Sequence, residues 1–70
     1  MSHEKLERMA NQIADFYMTQ PEAGRIPAVT KHLQDFWEPR MKKQLFARID
    51  AGDTGLQPLV LQAAARLRVA

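Results

Sequence analysis

The residue types that do chemistry are scarce in this chain. Its histidines are His3 and His32, its one serine is Ser2, and it has no cysteine in 70 residues. Without Cys there is no thiol nucleophile, disulfide, thiolate zinc site or cluster ligand. His3 sits in a terminal segment of the kind that frays. His32 has Asp35 three residues on and Glu38 beyond it. Such a helical pair supplies too few groups for a metal, which needs three or four converging ligands. No histidine is placed by spacing to activate Ser2. The run Gly52-Asp53-Thr54-Gly55 lacks the preceding strand and the lysine of a phosphate-binding loop. No catalytic residue and no metal ligand is therefore expected.

The elements that would have to position any site are helical throughout. The expected fold class is all-α, a small bundle of three to four short helices formed by residues 1–70 as one domain. The helices are placed at about 3–19, 27–37, 39–51 and 57–68. Ser2 suits the first N-cap. Leu6, Met9, Ala10, Ile13, Ala14, Phe16 and Tyr17 recur on one face of the first segment. Gln20-Pro21 ends it, and Gly24 is expected in the turn that follows. Pro27 suits the first turn of the second helix, whose stripe is Ile26, Val29, Leu33, Phe36 and Trp37. Pro39 opens the third, with Met41, Leu45, Phe46 and Ile49 inward, and Gly52 closes it. Leu59, Val60, Ala63, Ala64 and Leu67 form the inner face of the last.

Net charge is +2, with 46% hydrophobic and 26% charged residues, too apolar for a disordered chain. Residues 1–35 hold four basic and five acidic groups; residues 36–70 hold six and three. That excess is small for a nucleic-acid binder. Still, the corner at Trp37-Glu38 and the basic residues Arg40, Lys43 and Arg48 loosely imitate a helix-turn-helix. A small DNA-binding or antitoxin-like protein is thus the alternative reading. No apolar run approaches the ~20 residues of a membrane span, and the first residues carry no signal-type apolar stretch. A cytoplasmic location is expected. A domain this small, without staples, is also expected to be marginal alone or to self-associate.

Trp37 fits a core by periodicity, or an anchor for a partner. Leu61, Met18 and Val69 have no evident place in a small core, and would mark a contact surface if they adjoin.

Three blocks carry a family resemblance. Leu6-Glu7-Arg8-Met9-Ala10-Asn11-Gln12-Ile13-Ala14 with Phe16 resembles the opening of the delta subunit of NAD-dependent, molybdenum-containing formate dehydrogenases. His32-Leu33 with Phe36-Trp37-Glu38-Pro39-Arg40-Met41 is similar to that family's central block. Gly55-Leu56-Gln57-Pro58-Leu59-Val60 is similar to its closing block. Two positions depart from the pattern: Gln57 stands where an acidic N-cap is expected, and Leu61 where a polar residue is expected. The resemblance implies a non-catalytic accessory subunit that assists assembly, stability or cofactor loading of the catalytic alpha subunit. It implies a complex using a molybdenum bis-guanine-dinucleotide pterin, iron–sulfur clusters, flavin and NAD, none bound by this chain. The implied partners are the alpha subunit and the other subunits. Asn11, Gln12, Trp37, Arg40 and Met41, from the matching blocks, are the expected contacts.

Overall fold

The structure, a computed structural model, describes residues 2–53 and 55–69. Thr54, part of the glycine-containing loop considered above, lies outside the described residues, as do Met1 and Ala70. Four helices occur among the described residues: α1 (His3–Tyr17), α2 (Glu22–Phe36), α3 (Pro39–Asp50) and α4 (Pro58–Val69), and the fold is all-α. Ser2 caps α1, its Oγ accepting from the Lys5 N–H at 3.2 Å. Pro39 occupies the first turn of α3, where its missing N–H removes no bond. Gly52 ends α3 with φ +82°, a left-handed conformation that L side chains rarely adopt.

The second helix departs from expectation. It starts at Glu22 rather than near residue 27, so Gly24 is helical and Pro27 lies inside the helix. Pro21 takes the cap position and its carbonyl receives the Gly24 N–H at 3.1 Å. Pro27 forfeits one bond, to the carbonyl four residues back. Ala23 is exposed, so water can satisfy that carbonyl. The loss is outweighed because the helix buries Val29 and Leu33 and half-buries Ile26.

The core joins all four helices through Leu6, Ala10, Ala14, Val29, Leu33, Leu45, Leu59, Val60, Ala63 and Ala64. Ala63 and Ala64 let α4 approach α2 closely, and Thr30 Oγ1 reaches the Ala63 carbonyl at 3.3 Å. Leu56, in the connection before α4, is also buried. Three residues assigned inward by spacing are exposed instead: Met9 at 37%, Phe16 at 62% and Phe36 at 73%.

Cations from the following helix cap the helix ends. Neither α1 nor α2 has a basic residue in its own last turn. Arg25 donates to the carbonyls of Gln20 (3.0 Å) and Met18 (2.9 Å) after α1. Lys42 Nζ donates to the Gln34 carbonyl (3.0 Å) in the last turn of α2. Each places positive charge at the negative end of a helix.

Asn11 ties α1 to the start of α4. Its amide donates to the Gly55 carbonyl at 2.8 Å, and its Oδ1 accepts from the Gln57 N–H at 3.0 Å. Gln57 reaches back to Asp15 Oδ1 at 2.6 Å. Gln57 therefore does not cap its own helix through its side chain; α1 supplies the polar partners. Replacing Asn11 by Ala removes both hydrogen bonds to the Gly55–Gln57 connection and should cost about 1–3 kcal/mol. In a domain of this size the thermal midpoint falls by about 4–8 °C per kcal/mol, readable by circular dichroism.

Carboxylates pin the same connection. Asp53 accepts from the Gly55 N–H (2.6 Å) and pairs with Arg48 Nε (3.2 Å). A side chain on Gly55 would meet the Glu7 carboxylate, which would have to swing aside. A hydrogen bond with Asp53 raises the Glu7 carboxyl above its ordinary value, aided by burial and by the Asp53 charge. The same bond, then the Gly55 N–H and Arg48, lowers Asp53. Arg68 grips Asp50 through two bonds (2.9 and 2.7 Å) and lowers its carboxyl. A lowered acid contributes stability above its unfolded pKa that is lost as pH falls through the folded one; a raised acid does the reverse. Asp50→Asn should therefore flatten the loss of stability on acidification. Glu7→Gln should gain thermal midpoint over wild type as pH rises from 4 to 7. Melts over pH 4–7 check Glu7→Gln, and melts from pH 4 downward, below the ordinary Asp value of 3.8, check Asp50→Asn.

Candidate functional site

The exposed aromatic residues have a common location. Phe16 lies at the end of α1 and Phe36 at the end of α2, and both line one open groove of about 610 Å³. Met9 and Ile13 of α1, Trp37 at the corner and Met41 of α3 complete its apolar walls. Gln12, Tyr17, His32 and Glu38 supply its polar groups. Local structure explains the placement. Neighbouring residues on a helix point about 100° apart, and of Phe16 and Tyr17 only Tyr17 is turned to the core. Tyr17 packs against it, and Phe16 stands outside with its ring edge-on to Tyr17, centroids 5.0 Å apart. At the end of α2 the chain turns extended at Trp37 (φ −87°, ψ 132°). Trp37 goes inward, 5% exposed, and Phe36 outward, its ring 4.8 Å from that of His32.

Of the five residues singled out from the sequence, the groove unites Gln12, Trp37 and Met41. Trp37 is a wall of the groove, not a projecting side chain. Asn11 is engaged with Gly55 and Gln57 of its own chain. Arg40 is exposed in the first turn of α3 and does not line the groove. Phe16, Phe36 and Met9 were missed as surface residues. For Phe16 and Phe36 the signal is the adjacency in Phe16-Tyr17 and Phe36-Trp37, two large rings in succession with a small core to share.

A second, smaller apolar patch joins α3 to α4. Leu61 and Val69 adjoin there, with Phe46 and Ile49. Met18 lies elsewhere, near Ile26 and Pro58. Arg68 crosses the edge of this patch, its guanidinium 4.7 Å from the centre of the Phe46 ring. The basic face proposed for α3 is partly consumed internally, because Arg48 is turned to Asp53. Among the described residues no three His, Asp or Glu side chains gather into a group that could hold a metal ion. Nor is any helix long and apolar enough to cross a membrane.

Fold and surface together define a small all-α protein with an open apolar groove, a shape suited to contact with another macromolecule. A family model described as the NADH-dependent formate dehydrogenase delta subunit FdsD matches residues 5–64, and the chain belongs to that family. No curated protein matches the chain, and no solved structure does.

Proposed function

We propose that this chain is a non-catalytic subunit that docks through the α1–α2–α3 groove onto the catalytic alpha subunit of a formate dehydrogenase. The observation that carries the reading is the pair of exposed aromatic residues, Phe16 and Phe36, facing one groove in a chain of this family. Large aromatic side chains are the residues most often responsible for binding energy at interfaces. Gln12, Trp37 and Met41 belong to the same surface, and Arg40 is a contact beyond its rim. Asn11 acts through the fold, by fixing the start of α4 against α1.

Binding the folded, cofactor-competent alpha subunit in preference to its open or unfolded form stabilises that form by mass action. This is how a subunit without redox groups assists assembly or cofactor loading. The molybdenum pterin, iron–sulfur clusters, flavin and NAD site are proposed to belong to the other subunits. For the clusters the sequence supports this, since the chain has no cysteine to ligate them.

Co-purification with the alpha subunit is the test. Phe16→Asp and Phe36→Asp place a charge where an apolar contact is proposed, and each should lower recovery of the complex at least about tenfold. Both side chains are exposed, so the helical circular dichroism should stay unchanged. Complexes produced without this chain should hold less molybdenum per alpha subunit. Full recovery of complex with both variants, or unchanged molybdenum content without the chain, would overturn the reading.

A further inference from the structure

The groove has a charge pattern that specifies its occupant. None of the residues lining it is Lys or Arg, and its one carboxylate is Glu38. Glu38 is exposed, and its side chain gives α3 no capping hydrogen bond. Among the described residues its carboxylate takes part in no ion pair. His32, beside Phe36, is the other ionisable group at the site apart from Tyr17. The groove thus offers an apolar floor with an uncompensated negative charge at the corner between α2 and α3.

A second copy of the chain is poorly suited to fill it. A two-fold dimer puts the same patch on both sides. Groove against groove would offer neither Glu38 carboxylate a lining Lys or Arg to pair with. A carboxylate covered without a partner charge disfavours the pairing.

Resting on the docking reading above, we infer that the groove receives a segment of a different chain in the complex, apolar along its length and carrying one Lys or Arg that pairs with Glu38. The aromatic walls supply the contact area, and Glu38 selects the segment and its register. Selection by a rim charge acts more on specificity and on association rate than on total affinity.

The experiment measures binding of this chain to formate dehydrogenase complex purified from cells lacking it, at low and high salt. Glu38→Gln should weaken binding a few-fold and flatten its salt dependence. Glu38→Lys should weaken it about tenfold or more at low salt. Glu38→Gln should keep the helical circular dichroism of wild type, with a small fall in thermal midpoint from the charge lost at the start of α3. If both Glu38 variants bind as wild type with the same salt dependence while Phe36→Asp does not bind, the charge selection is wrong and the docking reading stands. If Phe36→Asp also binds as wild type, the docking reading fails as well. A wild-type dimer that Phe36→Asp turns into a monomer in sedimentation, with no binding to the complex, would assign the groove to a second copy and overturn the inference.

Discussion

The surface of this protein turns on one packing constraint: at two helix ends the small core takes one of two neighbouring aromatic side chains. Tyr17 diverges from Phe16 by about 100° on α1, Trp37 leaves α2 in extended backbone, and a domain of this size has a single small interior. Tyr17 and Trp37 take the inward places. Phe16 and Phe36 are left outside, each at the last turn of its helix and facing the same groove. The groove is thus a consequence of packing two aromatic pairs into a core with room for one member of each. A chain with an aliphatic or polar residue at either outer place would have the same fold and a weaker surface.

The walls are held by polar contacts that do not enter the groove. Arg25 closes the end of α1 and Lys42 the end of α2, each from the next helix along the chain. Those are the two helix ends that carry Phe16 and Phe36. On the far side of α1, Asn11 fixes the approach to α4, and the Asp53 carboxylate gathers Arg48 and Gly55. Fixing both helix ends before a partner arrives reduces the ordering cost of binding. Lys42 is half-buried, and its charged head meets the Gln34 carbonyl.

Much of this was readable from the residues. The all-α class followed from periodicity, and Ser2, Pro39 and Gly52 marked boundaries for local chemical reasons that held in the fold. Leu6, Leu33, Leu45 and Val60 declared themselves as core by spacing. The start of α2 did not, because Gly24 and Pro27 are turn signals whose local preference was overridden by burial of Val29 and Leu33. Leu56 was missed because no helical period extends to a connection. Asn11 read as a surface amide because its partners, Gly55 and Gln57, are more than forty residues away. Phe16 and Phe36 read as core because periodicity assigns a face to a helix but does not say where along that face the neighbouring helix stops.

The size of the groove decides between two kinds of occupant. Its volume, about 610 Å³, lies within the range of small-molecule sites, roughly 300–1,000 Å³. Such sites bury most of their ligand, about 70–90% of its surface. Here Phe36 is 73% and Phe16 62% exposed, so the walls flare open and enclose little. A macromolecular surface does not need enclosure, because it brings its own cover. A standard interface covers about 800 Å² on each partner, roughly a sixth of the 4667 Å² that this chain exposes. A footprint of that size extends past the two phenyl rings onto Gln12, His32 and Glu38. In the proposed docking, contact area comes from the aromatic walls, and discrimination among partners from the polar groups that the same footprint covers.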